Sequence, residues 1–237
     1  MPEGCPRSES NHCLPNSHCL LIGNSRWHWA IGSPDGWRFE HTSPDPDRLA
    51  QAKLIGWAAV GVVPDHPVLR QSRRLGLADV PLQGLPPWLG VDRALAAWAA
   101  WGAASPWTHE GLLVADAGTV LSLTRVRADG RFAGGQLAAG FGLQLRAMAA
   151  GTRDLPDPKT LTDVPSALFP EPTLDAMQRG TVQSLLGLLL EAQHHCGWPL
   201  WLCGGDAPLL LEQLRERGAD VRYAPDLVMQ ALVALLS

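Results

Sequence analysis

Two stretches of this chain share one pattern: a strand, a polar turn, a second strand, an Asp-Gly turn and a third strand. The polar turn of the first stretch lies at residues 23–25, and that of the second lies at residues 116–119. The Asp-Gly turn follows the glycine of the polar turn by twelve positions in the first stretch (35 − 23) and by eleven in the second (129 − 118). Because turn chemistry and spacing agree together, the sequence predicts an internal duplication rather than two unrelated β-meanders.

The 116–119 turn, Asp-Ala-Gly-Thr, carries groups that suit phosphates and their counter-cations. Gly118 lets the backbone approach a ligand closely. The peptide N–H groups and the Thr119 hydroxyl donate hydrogen bonds, and the Asp116 carboxylate holds a cation. A simple β-hairpin with a polar tip explains these residues equally well when they are taken alone. The earlier copy of the pattern favours a functional turn.

The rest of the chain alternates helical and strand patterns, which is typical of the α/β class. Residues 58–64 are β-branched and end at a proline, so they are predicted as a buried parallel strand. The Gly-rich residues 134–140 are predicted as a turn leading into a helix, with tight packing of small residues as the alternative. The other predictions are helices at 49–54, 68–77, 92–104, 143–150, 173–195, 207–217 (with Asp206 as its N-cap) and 225–236, strands at 200–203 and 220–223, and a Pro-rich connection at 154–172.

Composition excludes several classes of protein. A net charge of −4 provides no basic surface for nucleic acid, and the chain contains no Gly-x-x-x-x-Gly-Lys-Ser/Thr phosphate loop. The five cysteines form no Cys-x-x-Cys pair, so a zinc site near Cys5, Cys13 and Cys19 is disfavoured against a polar, flexible leader. No apolar run is long enough to act as a signal core or to span a bilayer, which predicts a cytoplasmic protein without a membrane partner.

Several motifs in a fixed order resemble those of the type III pantothenate kinases, a family within the actin-like ATPase and sugar-kinase superfamily. The resemblance covers the chain from about Leu20 onwards. The motifs that carry it are Ile22-Gly-Asn-Ser25, Val60-Gly-Val-Val-Pro64, Gly90-Val-Asp-Arg93, Asp116-Ala-Gly-Thr119, Gly134-Gly-Gln-Leu-Ala-Ala-Gly140, Thr173-Leu-Asp-Ala-Met-Gln-Arg-Gly180 and Cys203-Gly-Gly-Asp206.

The resemblance implies an α/β protein of two actin-like (ribonuclease H-like) domains, each a mixed sheet with flanking helices. The expected organisation is a leader at 1–18, an N-terminal domain at 19–108 and a C-terminal domain at 109–237. The implied activity is ATP-dependent phosphorylation of pantothenate to 4'-phosphopantothenate, the first step of coenzyme A biosynthesis. The implied cofactors are ATP, Mg²⁺ and a monovalent cation, K⁺ or NH₄⁺, and the implied assembly is a homodimer.

The resemblance also implies roles for individual residues. Asp92 would be the general base, and Asp116 would bind the monovalent cation. The residues implied to bind ATP are Ile22, Gly23, Asn24, Ser25, Arg26, Trp27, His28 and Thr119. Those implied to bind pantothenate are Gln83, Gly90, Val91, Asp92, Arg93 and Thr173, the last from the neighbouring subunit.

Three positions depart from the family pattern. Leu21 stands where the first motif usually has Asp, His28 where a Lys is usual, and Gln83 where a Tyr is common. Two alternatives therefore stay open at this point. One is a nucleotide-binding regulatory or accessory protein with weak or no kinase activity, and the other is a kinase for another small hydroxyl substrate.

Overall fold

A computed structural model describes residues 16–104, 110–158 and 164–237. The chain forms two compact units. The first contains the described residues up to Val80, together with Gly90–Asp92 and Val228–Ser237, and the second contains Pro81–Leu89 and Arg93–Leu227. None of the helices in the described ranges combines the length and the apolar character that a membrane span requires.

The elements alternate along the chain as expected for an α/β protein. In chain order they are β1 (Ser17–Ile22), β2 (Trp27–Ser33), β3 (Gly36–Thr42), α1 (Pro46–Gln51), β4 (Lys53–Ala59), α2 (Pro67–Gln71), β5 (Arg73–Arg74), a 3-10 turn (Leu77–Asp79), α3 (Val91–Ala104), β6 (Gly111–Ala117), β7 (Val120–Arg127), β8 (Phe132–Ala139), α4 (Phe141–Gly151), α5 (Thr173–Cys196), β9 (Leu200–Cys203), α6 (Ala207–Glu216), β10 (Val221–Tyr223) and α7 (Leu227–Leu236).

Each unit contains one five-stranded mixed sheet. The strand order is β3-β2-β1-β4-β5 in the first and β8-β7-β6-β9-β10 in the second, so corresponding strands occupy the same places. In both sheets the first three strands form an antiparallel meander, and the last two add in parallel. The repeat predicted from the two turn motifs is therefore present as a repeat of topology.

The core of the first unit lies on its sheet and includes the fully buried side chains Leu20, Ile22 and Trp29. The C-terminal helix α7 packs closely against β4. A Cβ at Gly56 of β4 would lie only 2.8 Å from Cδ1 of Leu236 in α7. In the second unit, α4, α5 and α6 pack on the sheet through apolar side chains such as Leu145, which is fully buried. The cores are consistent with burial of the apolar face of each element.

Several predicted boundaries were wrong. The parallel strand is β4, residues 53–59, and Val62 of the predicted 58–64 strand is 92% exposed. The predicted helix at 49–54 begins earlier, at Pro46, because Asp45 caps it by accepting from the Arg48 N–H. The predicted helix at 68–77 ends at Gln71, and β5 follows it.

The Gly-rich segment 134–140 is not a turn. Residues up to Ala139 belong to β8, and α4 begins at Phe141, directly after Gly140. The strand starts at Ser17 rather than after residue 18, so Ser17 and His18 of the predicted leader lie in β1. Cys5, Cys13 and the rest of the leader lie outside the described residues, as does 105–109, where the predicted domain boundary falls. The predicted domain bounds remain a prediction.

Candidate active site

The 23–25 turn joins β1 to β2 in the first unit. The Gly23 N–H donates to the Arg26 carbonyl at 3.0 Å, which closes the turn. The carbonyl of Ile22 accepts from the backbone N–H groups of both Val60 and Gly61, at 3.0 and 3.1 Å. A Cβ at Gly61 would overlap the Gly23 carbonyl oxygen and lie 2.7 Å from its carbonyl carbon. Two backbone segments therefore meet here at a distance that only glycine allows at position 61.

The predicted ATP-binding residues of this turn divide into two groups. Asn24, Ser25 and Arg26 are exposed. Ile22 and Trp27 are 0% and 3% exposed, respectively, so only their backbone atoms can contribute to a binding site. Leu21 is also buried, and it lies in β1 opposite His28. The carboxylate that the family pattern has at position 21 is thus replaced by a core side chain.

His28 lies beside the turn and contacts a second histidine. Its Nδ1 is 2.7 Å from Nδ1 of His41 on β3, and a Cβ at Gly23 would lie 3.2 Å from its Nε2. Burial, together with the smaller effects of the nearby His41 and Arg26, lowers the pKa of His28 from the usual 6.5 to about 4. The imidazole is therefore neutral at pH 7.

The predicted base, Asp92, is the second residue of α3. Its Oδ1 lies against Gly90, where a Cβ would be only 2.5 Å from that oxygen. The same Cβ would be 3.6 Å from Cγ1 of Val60, so the Gly90–Asp92 segment packs beside the Val60 side chain. The backbone N–H of Val60 donates to the Ile22 carbonyl, which directly precedes the 23–25 turn. The carboxylate lies in the first turn of a helix, where the helix dipole stabilises negative charge. Val91 is buried, at 7% exposure.

The first unit thus brings three of the resembling motifs together. The segment at Val60 and Gly61 contacts the 23–25 turn on one side and Gly90 on the other. Gly61 was not among the predicted site residues. In the sequence, Gly61 lies just beyond the end of β4, which runs parallel to β1. The carboxyl ends of two parallel strands lie at the same edge of the sheet, and this is the signal that could have indicated Gly61.

The 116–119 turn joins β6 to β7 in the second unit. The Thr119 carbonyl accepts from the Gly140 N–H at 3.0 Å, and the Ala117 carbonyl accepts from the Asp206 N–H at 2.8 Å. A Cβ at Gly140 would overlap the Gly118 oxygen, whereas a Cβ at Gly118 itself would meet no atom within 4 Å. The turn is therefore fixed from one side and open on the other.

Gly204, which directly follows β9, packs against the same turn. Its φ is +91°, which favours glycine, and a Cβ there would overlap Oδ1 of Asp116 and lie 2.7 Å from the Ala117 carbonyl carbon. Asp116 is half-buried and pairs in register with Ser122 and Cys203. Asp206 occupies the N-cap position of α6 as predicted, but its side chain makes no capping hydrogen bond.

Two predicted substrate residues, Gln83 and Arg93, contact the meander of the second unit. Gln83 pairs through its backbone with Gly130 and Phe132, and its Oε1 accepts from Nη2 of Arg131 at 3.3 Å. The Arg93 Nε donates to Oγ1 of Thr124 at 3.2 Å. Thr173 is exposed and begins α5, and no hydrogen bond or ion pair joins it to another predicted site residue. The structure therefore does not bring Thr173 into either group.

Metal-binding side chains are sparse in this region. Within the described ranges, no group of three or more His, Cys, Asp and Glu side chains is placed to hold a metal ion. Asp116 provides a carboxylate beside the open face of its turn. Such a site suits a cation that takes its remaining ligands from water or phosphate oxygens.

The sequence aligns with those of other proteins over most of its length. It is 33% identical over 237 residues to a type III pantothenate kinase from Synechococcus elongatus, and the alignment covers 90% of this chain and 93% of the relative. The chain belongs to the type III pantothenate kinase family. A second type III pantothenate kinase, from Thermosynechococcus vestitus, is 36% identical to this family member over 226 residues, which cover 87% of this chain and 84% of the relative.

The sequence pattern of the family, described as Type III pantothenate kinase, matches residues 81–194. Among solved structures, a Baf family protein from Campylobacter jejuni aligns with a TM-score of 0.62 and 18% identity, over 92% of this chain and 96% of that one. Together with the two mixed sheets, the match confirms the actin-like fold that the resemblance implied. Family membership confirms the predicted enzyme class, and a kinase family implies ATP as the phosphoryl donor.

Proposed function

We propose that this pantothenate kinase family member transfers the γ-phosphoryl group of ATP to the primary hydroxyl of pantothenate, with Asp92 as the general base. The product would be 4'-phosphopantothenate, which makes the reaction the first step of coenzyme A biosynthesis. We propose that the enzyme acts in the cytoplasm. The observation that supports the assignment most strongly is the grouping in the first unit. There the Val60 and Gly61 backbone contacts the 23–25 turn, and the Val60 side chain lies beside Gly90.

Asp92 has one chemical role in the proposed reaction, which is to accept the proton of the attacking hydroxyl. The pantothenate oxygen attacks the γ-phosphorus in line, the bond from phosphorus to the ADP oxygen breaks, and the hydroxyl proton passes to the carboxylate. Positioning and charge neutralisation supply most of the rate enhancement in phosphoryl transfer, and a positioned base adds roughly 10²–10⁴-fold. Asp92 lies in the first turn of α3, where the helix dipole favours negative charge.

The exposed residues of the 23–25 turn, Asn24 and Ser25, are proposed to bind ATP phosphates with the help of Arg26. In the second unit, Thr119 is proposed to bind phosphate and Asp116 the monovalent cation. Mg²⁺, when bound with ATP, would neutralise charge on the phosphate oxygens. Because Leu21 provides no carboxylate, we expect Mg²⁺ to depend more on ATP and water than on protein ligands.

Gly90, Val91, Arg93 and Gln83 are proposed to bind pantothenate, with Thr173 acting from the second subunit of a homodimer. The guanidinium of Arg93 is permanently charged and suits the carboxylate of pantothenate. The exposed position of Thr173 at the start of α5 fits a residue that reaches another subunit.

The decisive experiment compares Asp92→Asn with the wild-type protein in a coupled ADP-release assay with pantothenate, with and without K⁺. We expect turnover to fall by roughly 10²–10⁴-fold while ATP still binds. Asp47→Asn is the matched control, because Asp47 is an exposed carboxylate in the first turn of α1. Wild-type turnover in Asp92→Asn would remove Asp92 from the role of base.

One observation favours a second candidate function. The buried Leu21 stands where the first phosphate motif usually has a carboxylate, and this favours a nucleotide-binding accessory protein that turns over slowly or not at all. A panel of hydroxyl substrates in the same assay separates the candidates. Turnover of pantothenate alone supports the proposal, turnover of a sugar indicates another kinase, and ATP binding without any turnover indicates the accessory role.

A further inference from the structure

A hydrogen bond between two imidazole rings lies beside the proposed ATP-binding turn. His28 on β2 and His41 on β3 are partners in the antiparallel register, and their Nδ1 atoms are 2.7 Å apart. A hydrogen bond between two ring nitrogens contains one proton, so one histidine donates and the other accepts. The two arrangements give His28 opposite tautomers, and the tautomer decides what its other nitrogen offers to a ligand.

In the first arrangement, His41 donates its Nδ1–H to the lone pair on Nδ1 of His28. A neutral His28 then carries its own proton on Nε2 and is a hydrogen-bond donor there. In the second arrangement, His28 donates through Nδ1, and its Nε2 is left with a lone pair. An Nε2 lone pair repels a phosphate oxygen, whereas an Nε2–H binds it.

The Nε2 atom of His28 lies at the backbone of the 23–25 turn. A Cβ at Gly23 would be 3.2 Å from it, and within the described residues no hydrogen bond engages this nitrogen. Burial lowers the pKa of His28 to about 4, with His41 and Arg26 as further causes, so the ring is neutral and its tautomer matters. Arg26 is the charged group of the turn itself, and it favours an anionic ligand at the same place.

We propose that His41 is a positioning residue for ATP: by donating its Nδ1–H to His28, it fixes the tautomer that presents Nε2–H to a phosphate oxygen over the 23–25 turn. The inference rests on the proposed function and extends it to a residue outside the motifs. The chain thereby replaces the lysine usual at position 28 with a neutral donor whose orientation and tautomer are set by the neighbouring strand.

The direct test is ¹⁵N NMR of the histidine rings, recorded at pH 7 on the wild-type protein without nucleotide and then with Mg²⁺ and a non-hydrolysable ATP analogue. The expected result is a His28 ring protonated at Nε2 in both samples, with the Nε2–H signal shifting when the analogue binds. A His28 ring protonated at Nδ1 in the bound sample would overturn the proposal.

The second test uses variants and the affinity for the ATP analogue measured by calorimetry. His41→Leu removes the donor, and because one hydrogen bond contributes roughly 0.5–1.5 kcal/mol, we expect the Kd to rise about two- to tenfold. His41→Asn keeps an N–H donor at this position, and we expect it to restore most of the affinity. Arg38→Ala is the control for general effects on β3, since Arg38 is an exposed residue of the same strand.

The outcomes separate this inference from the proposed function. Unchanged affinity in His41→Leu, with a wild-type protein that binds the analogue, overturns the role of His41 and leaves the kinase assignment intact. A wild-type protein that binds no nucleotide contradicts the proposed function itself. An equal loss of affinity in His41→Leu and Arg38→Ala also counts against the inference, because it indicates a structural effect of the strand.

Discussion

Gly61 is the residue whose replacement tests the geometry of the first unit most sharply. In Gly61→Ala the new Cβ would lie 2.7 Å from the carbonyl carbon of Gly23, which is 0.7 Å (3.4 − 2.7) short of ordinary van der Waals contact, and it would overlap the carbonyl oxygen. The neighbour is backbone that is fixed by the Gly23–Arg26 hydrogen bond, so it cannot move aside as a flexible side chain would.

Overpacking of this kind costs roughly 1–3 kcal/mol of unfolding free energy. For a chain of this size each kcal/mol corresponds to about 2–4 °C in Tm, so we expect Tm to fall by about 2–12 °C. Because the clash displaces the 23–25 turn, affinity for an ATP analogue should fall as well. Differential scanning fluorimetry with and without the analogue measures both effects.

Gly76→Ala is the matched control in the same unit, because the nearest atom to its Cβ would be Oδ2 of Asp79 at 3.9 Å. We expect its Tm and analogue-induced stabilisation to match the wild type. If Gly61→Ala kept the wild-type Tm and the wild-type response to the analogue, the close approach of the Gly61 and Gly23 backbones would be wrong.

Three further predictions concern the second unit and pH. Gly140→Ala, whose Cβ would overlap the Gly118 oxygen, should lower Tm, whereas Gly118→Ala, with no atom within 4 Å, should leave it nearly unchanged in thermal melts. Since the folded-state pKa of His28 is lowered to about 4, the unfolded chain binds more protons between pH 4 and 6.5. Urea denaturation should therefore show stability that is present above pH 6.5 and is lost as pH falls to 4, with a shallower loss in His28→Gln. Thr124→Val, which removes an acceptor for Arg93, should raise KM for pantothenate with little change in kcat; an unchanged KM would argue against Arg93 as a substrate ligand.

Much of the topology could be read from the sequence because its turns are local. The Asp-Gly turns and the polar turns at 23–25 and 116–119 are encoded within a few residues, and the meanders on both sides formed as predicted. The register of β2 with β3 was also accessible. Ser33 pairs with Gly36, and continuing that pairing outwards places His28 opposite His41. The His28–His41 pair depends on this register between two strands, and neither histidine indicates it alone.

Two of the wrong predictions, the strand at 58–64 and the turn at 134–140, concern glycines and valines whose environment comes from distant residues. The strand at 53–59 contains Gly56, where a Cβ would lie 2.8 Å from Cδ1 of Leu236 in α7. Position 135 in β8 is occupied by glycine, because a Cβ there would come 2.7 Å from Nη2 of Arg93. The exposure of Val62 shows that a β-branched run does not by itself make a buried strand. None of these contacts is visible in a local window of sequence.

The packing of Leu236 against Gly56 affects the order in which the protein matures on the ribosome. Between Val80 and residue 237 lie 157 residues (237 − 80), which take about 8–31 s to translate at the usual 5–20 residues per second. During that interval the nascent N-terminal sheet lacks the helix that covers β4. Its completion therefore waits until α7 has been synthesised, so a sheet that is made early requires a helix that is made much later.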